Sequence, residues 1–389
     1  MRAALLLLLS AAMLRGQQTV KSRKEAGTDA QGRKLVVIEK QFGEDARPYR
    51  KGCTPETQWL LQRGSETPVP IVTQCGTESR VETNIDVKQN RITVDRNGGA
   101  QAGYFYVETI QLSPWQPLSQ TACTFLAGSG DYTYSISDWR TLVTKVWNGN
   151  SQEDSTICGS KGEYGYLVLP RVPVDADRLE KDRSSLGSCS LLLDASGKNG
   201  KLSWGKPDAA DPLQVRLLFV TPTALLAQVI DPNHSSAPVR NWIHGDHFEI
   251  FTGGVLSSVV QYGIPVEEGA IEIGTGTPKA LPKVRRWTSK LAHGRTAYLL
   301  RIELPPRADT EFQFSVIYSQ GQGGIAQKRL IGTSFARGRN VHLGNWFPNL
   351  EKDTAGRHVT CEVRNGALDI AGPAMKELLF EPDEPLWQP

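Results

Sequence analysis

The densest run of side chains able to do chemistry is Asn241-Trp242-Ile243-His244-Gly245-Asp246-His247-Phe248-Glu249-Ile250-Phe251. His244, Asp246, His247 and Glu249 are the residue types that ligate transition metals, and Asp246 with backbone carbonyls is the donor type for a structural calcium. Strand alternation limits this chemistry. If 246 to 251 is extended, His247 and Glu249 share one face with Phe251, while Asp246 shares the other with Phe248 and Ile250, so at most two or three of the four converge. The plainer role for Asp246 and Glu249 is to fix the loop by hydrogen bonds. Trp242 adds a flat apolar ring to the same loop. Trp287, in Lys283-Val284-Arg285-Arg286-Trp287, offers a second ring, and Arg285 and Arg286 beside it suit hydroxyls or a uronic-acid carboxylate.

Enzymatic signatures are absent from the sequence: there is no G-x-S-x-G elbow, no H-E-x-x-H helix and no phosphate loop. Gly321-Gln322-Gly323-Gly324-Ile325-Ala326 fits the spelling of a dinucleotide fingerprint, but no strand-turn-helix context surrounds it, so it reads as a turn. Glu267-Glu268 and the pair Glu180 and Asp182 read as solvated faces. No catalytic residue is assigned, and apart from the calcium reading no cofactor is expected.

The elements that must position these residues are strands. Leu213, Val215, Leu217 and Phe219 alternate, Leu225, Ala227 and Val229 follow after Pro222, and Asp231-Pro232-Asn233 marks a turn. Leu300, Ile302 and Leu304, then Phe312, Phe314, Val316 and Tyr318, repeat the pattern. Ile85 to Val94 around Lys88-Gln89-Asn90 reads as a hairpin, as does Val359 to Ile370 around Asn365-Gly366. With 37 Gly and 23 Pro in 389 residues and no long amphipathic helix, the expectation is an all-β protein of two β-rich domains. The C-terminal one is expected to be an antiparallel β-sandwich of jelly-roll or immunoglobulin-like packing. The charged stretch Pro173 to Arg183 reads as a linker or exposed helix, which places the domains at 35–180 and 181–372, the second closed by the hairpin, with a tail at 373–389. Trp115, Trp139, Trp147, Tyr132 and Tyr134 are expected to pack in the N-terminal core rather than line a binding surface.

Met1-Arg2, the apolar run to Leu9 and the small residues from Ser10 to Gly16 read as a signal peptide over 1–16, too short for a bilayer span. Basic, glycine-flanked residues 17–34 read as a flexible leader. No later apolar run is long enough to cross a membrane. Loss of Arg2 and Arg15 takes the 44 basic residues to 42 against 41 acidic, scattered along the chain, which excludes a nucleic-acid-binding profile. The six cysteines, Cys53, Cys75, Cys123, Cys158, Cys189 and Cys361, include no C-x-x-C pair and so point to disulfides in an exported chain, periplasmic or extracellular. Six cysteines allow fifteen pairings, of which sequence proximity favours Cys53 with Cys75 and Cys123 with Cys158, leaving Cys189 for Cys361.

The order of Gly200-Lys201-Leu202-Ser203-Trp204, a strand ending at Asp231, a loop with Trp242, and then Asp246, Phe248, Glu249, Ile250 and Phe251 resembles family-9 carbohydrate-binding modules and the wider DOMON-like sandwiches over residues 195 to 340. That resemblance implies a non-catalytic site in which aromatic rings stack on a pyranose while polar groups hold its hydroxyls, with a polysaccharide or glycan as partner. Trp242, Asp246 and Glu249 match family positions; Trp287, Arg285 and Arg286 extend the expected ligand face. Haem, which some DOMON-like domains hold through Met and His, is disfavoured because Met13 and Met375 lie outside the sandwich. Cys75-Gly76, the strand around Ile92, Gly98-Gly99 and the aromatic strand from Tyr104 resemble uncharacterised exported bacterial proteins, which implies no activity. Two rival readings stand beside carbohydrate binding: a structural or protein-interaction module of the cell envelope, and a carbohydrate-active hydrolase.

Overall fold

The computed structural model describes residues 18–43, 46, 53–76, 82–98, 102–126, 128–150, 158–159, 162–234, 241–254, 257–305, 313–334, 336–337, 340–341, 345–346, 359–372 and 375–380. The expected signal peptide and the tail beyond 380 lie outside the described residues. Two units emerge: residues up to Asp131 together with 372–387, and Tyr132 to Ala371. The division falls before the charged stretch expected to mark it. That stretch instead forms α1 (Ala176–Lys181) inside the second unit, capped by Asp175, whose carboxylate accepts the Arg178 amide at 3.0 Å, with Ala176 and Leu179 buried.

In the first unit β1 (Gln18–Thr28), β2 (Lys34–Phe42), β3 (Pro55–Arg63) and β4 (Val69–Cys75) form an antiparallel meander, joined by the segment Leu378–Phe380 running parallel to β4. A second meander contains β5 (Glu82–Lys88), β6 (Arg91–Gly98), β7 (Ala102–Leu112) and β8 (Trp115–Leu126). Val37, Leu61 and Ile71 from the first meet Ile92, Val94 and Ile110 from the second in one core, which Phe380 enters. The leader expected at 17–34 is thus corrected to an edge strand. Its lysines and arginines face solvent while Ala26 is buried, and an edge strand tolerates and benefits from such charge. The turn closing it is set by Asp29, whose side chain accepts the amides of Gln31 at 2.9 Å and Arg33 at 2.8 Å. Cys53 and Cys75 are bonded, tying the approach to β3 to the end of β4.

The second unit contains β9 (Asp131–Asp138), β10 (Val143–Asn150), β11 (Tyr166–Val168) and the short β12 (Ser185–Leu186) ahead of a two-sheet sandwich. One sheet holds β13 (Leu191–Asp194), β15 (Gln214–Phe219), β16 (Ala224–Ile230), β21 (Thr296–Glu303) and β20 (Lys283–Lys290), in that order. The other runs β14 (Lys201–Trp204), β23 (Ala326–Gly332), β22 (Gln313–Gln322), β17 (His247–Gly254), β18 (Ser257–Pro265), β19 (Glu272–Thr275), with Asn345–Trp346 also against β22. The registers within both sheets are antiparallel. Alternation dictates the core between them. Val215, Leu217, Phe219, Leu225, Ala227, Val229, Leu300 and Ile302 face Phe248, Ile250, Tyr262, Ile264, Phe314, Val316, Tyr318 and Ile331. Each Val, Leu, Ile or Phe among them contributes about 1.5–3 kcal/mol on burial.

The sheet carrying β16 is buried on its other face too. Ala224, Leu226 and Ile230 pack with α1, Leu186, Trp287, Leu299 and Leu368 of the hairpin Thr360–Arg364/Ala367–Ala371. The hairpin turn has Asn365 at φ 50° and Gly366 at φ 75°, the left-handed pair an Asn-Gly turn is suited to. Ser185 and Leu186 pair in parallel with Ala367 and Leu368, and the bond Cys189–Cys361 fastens the hairpin to the sandwich. Cys123 and Cys158 are also disulfide-bonded.

Candidate functional site

The Trp242 loop is held by a buried polar cluster at the end of β16. Asp231 turns the chain by accepting the Asn233 amide at 2.8 Å, and its second oxygen takes the Gln320 side-chain amide at 2.7 Å and the Tyr318 hydroxyl at 3.3 Å. His234 follows, its Nδ1 2.5 Å from Asp246 and its Nε2 3.3 Å from Glu267, with the ring 4.4 Å from that of Tyr298. Burial pushes the His234 imidazole toward neutrality, but its hydrogen bond to Asp246 and the charges of Asp246 and Glu267 outweigh this, so its pKa is raised. Burial, with the Asp246 and Asp231 carboxylates close by, keeps the Tyr318 phenol protonated.

Asp246 also accepts the backbone amide of Gly321 at 2.7 Å. One carboxylate therefore joins the loop, the start of β17 and the end of β22. Gly321 has to be glycine for a steric reason, since a Cβ there would lie 3.2 Å from Gly245 Cα and closer still to the His244 carbonyl oxygen. Residues 242–244 form a single 3-10 turn, with the His244 amide donating to Asn241 at 2.8 Å.

Trp242 lies against the sheet face opposite the sandwich core. Its ring sits above Gly263 of β18, where a Cβ would come 2.7 Å from Cε3, 2.9 Å from Cη2 and nearer still to Cζ3. It meets the His247 ring edge-on, at 4.9 Å between centroids and 70° between planes. His247 donates from Nδ1 to the Gly245 carbonyl at 2.7 Å, and its Nε2 is 3.4 Å from Glu249. Glu249 accepts the Gln261 amide at 2.8 Å. A half-buried indole beside an imidazole, a carboxylate and an amide is an arrangement that pairs a flat apolar surface with fixed donors and acceptors.

Of the six residues expected to bind ligand, the structure brings Trp242 and Glu249 together on this face. Asp246 lies on the core side of the strand and is occupied by His234 and Gly321. Trp287 is a correction: it is 8% exposed within the second core, its indole N–H donating to the Ser184 carbonyl at 3.1 Å, so neither ring face is open to a sugar. Arg285 is held by Asp177 at 2.9 Å, Glu180 at 3.1 Å and Glu303 at 3.8 Å, and Arg286 donates to the Pro265 carbonyl at 3.1 Å. His244, Asp246, His247 and Glu249 do not converge, and among the described residues no three His, Cys, Asp or Glu side chains are placed to hold a metal.

Sequence reasoning did not assign His234, Tyr318 or Gln320 to the site. A lone histidine three residues past a strand end gives no sign of a partner twelve residues on, and Tyr318 reads only as a core position. Trp204, which enters the sequence only as the end of the Gly200–Trp204 run in the resemblance, is 60% exposed at the end of β14.

No known family profile matches the chain, and no curated protein matches it. Among solved structures it is similar to a family-9 carbohydrate-binding module from Caldicellulosiruptor kristjanssonii in complex with glucose, at 19% identity over 39% of this chain and 83% of that one, TM-score 0.24. A second similar structure is a family-9 module from the same organism with cellotriose, at 12% identity over 43% of this chain and 83% of that one, TM-score 0.27. Likeness at this level assigns neither a family nor a ligand.

Proposed function

We propose that this is an exported, non-catalytic carbohydrate-binding protein whose second unit holds a sugar against Trp242. The observation that carries the reading is the seat of half-buried Trp242 on Gly263, where one ring face rests on a position lacking a side chain; the reading assigns the other face to the apolar C–H face of a pyranose. Beside it Gln261 is the partly exposed polar side chain, and Glu249 and His247, both buried, hold it and the ring in place, Glu249 accepting the Gln261 amide. Pre-orientation of this kind lowers the ordering cost of binding. The bonded cysteines support an oxidising destination.

The test is a glycan and polysaccharide screen on the oxidised protein, with Trp242→Ala alongside. Removal of a central aromatic contact costs on the order of 2 kcal/mol, so affinity should fall about thirtyfold while the thermal melt still shows a folded protein. Absence of binding to any glycan, or equal affinity in the variant, refutes the reading.

A further inference from the structure

Among the described residues Trp204 is the one aromatic side chain among the exposed large apolar ones. Its place in the sheet is specific. Trp204 pairs with Leu330, Leu330 with Ser319, and Ser319 with His247, so a single cross-strand row runs from Trp204 to the imidazole that Trp242 touches. Directly paired residues point to the same side of a sheet, and Ile331, the neighbour of Leu330, faces the sandwich core. The Trp204 end of the row therefore belongs to the same outer face as His247, Glu249 and Trp242. A β-bulge after Leu202 accompanies the exposure of Trp204, and bulges re-aim side chains in this way.

From β14 to β17 the row crosses three strand spacings, about 14 Å. Between its ends the row is covered rather than open: Ser319 and His247 are buried, Gln327 lays its amide on the Ser319 hydroxyl at 3.1 Å, and Gln327 and Leu330 are the half-buried side chains that reach the surface there. Two rings this far apart cannot contact one pyranose, which is no wider than an indole. They can contact two separated units of one chain.

We propose that Trp204 is a second aromatic subsite, and that the ligand of this face is a linear oligosaccharide or polysaccharide chain lying across the strands instead of a single terminal sugar. This rests on the carbohydrate reading of the Trp242 face. The chain stacks one unit on Trp242, passes over Gln327 and Leu330, and stacks a later unit on Trp204. Affinity then grows with ligand length until both rings are engaged, as two linked weak contacts do.

The test is a calorimetric titration of the full oxidised protein with glucose, cellotriose and cellohexaose, and with the matching xylo- and manno-oligosaccharides. The protein, Trp204→Ala, Trp204→Phe and Trp242→Ala are compared. Trp204 is at the surface, so its variants should melt like the parent. For the series that binds, affinity should rise with length. Trp204→Ala should lower hexasaccharide affinity about tenfold and leave the shortest binding sugar unchanged, Trp204→Phe should keep most of the gain, and Trp242→Ala should weaken every length. If affinity does not grow with length, or Trp204→Ala binds the hexasaccharide as the parent does, the second subsite is overturned while the Trp242 reading stands. If no sugar of any length binds, or Trp242→Ala changes nothing, both fall.

Discussion

Replacing Gly263 by alanine tests the seat of Trp242 directly. The added methyl would lie 2.7 Å from Cε3 and 2.9 Å from Cη2, whereas carbon atoms rest at about 3.5–4.0 Å, so the indole has to move outward by about 1 Å or tilt. Overpacking of this size costs about 1–3 kcal/mol. Against it runs the smaller entropy that alanine loses on folding, worth about 0.4–1 kcal/mol in favour of the variant. The two effects separate in a double-mutant cycle. In the parent, Gly263→Ala should destabilise by about 1–2 kcal/mol in urea unfolding and weaken glycan binding, because the ring is displaced from its place beside His247 and Gln261. In a Trp242→Ala background the obstruction is gone, and the same substitution should be neutral or slightly stabilising. A coupling of about 1.5 kcal/mol or more is expected from residues in such contact. Equal effects of Gly263→Ala in both backgrounds would refute the placement of Trp242 on β18, and with it the proposed binding surface.

Two further outcomes follow from the site. The pKa of His234 is raised above its ordinary 6.5, so its contribution is fully present below about pH 6.5 and is lost as pH rises through the folded-state value. Urea midpoints measured from pH 5.5 to 8.5 should fall toward alkaline pH in the parent relative to His234→Gln; a constant difference between the two would sink this. Trp287→Ala should behave as a core truncation, costing about 3–5 kcal/mol because the ring is 8% exposed and its N–H is hydrogen-bonded; near-parental stability with lost glycan binding would instead restore Trp287 as a platform.

Much of the architecture is local and so was legible. The strands of the second unit follow from alternation at Val215, Leu217 and Phe219, and the last hairpin from Asn365-Gly366. What misled the reading of Trp287 is long-range. Residues 283–290 alternate as a strand with one wet face would, but α1 and a hairpin fastened by Cys189–Cys361, 172 residues apart in sequence, cover that face around Trp287. The unbroken run Ala224-Leu225-Leu226-Ala227 does carry the signal of two-sided burial, and Gln228, which follows it in the same buried strand, is satisfied by both backbone groups of Leu186. At the site, the sequence motif held Trp242, Asp246 and Glu249, whereas their division of labour depended on pairings it does not display: Gly263 opposite Glu249, and Gly321 beside Asp246.

The strand Leu378–Phe380 returns to the first unit after the whole of the second has intervened, pairing with β4 and sending Phe380 into the core of Val37, Ile71 and Ile92. The core of the first unit is thus completed by a segment that follows the second unit in sequence. Without Leu378–Phe380, β4 would present a vacant, adhesive edge and the core would lack one aromatic ring.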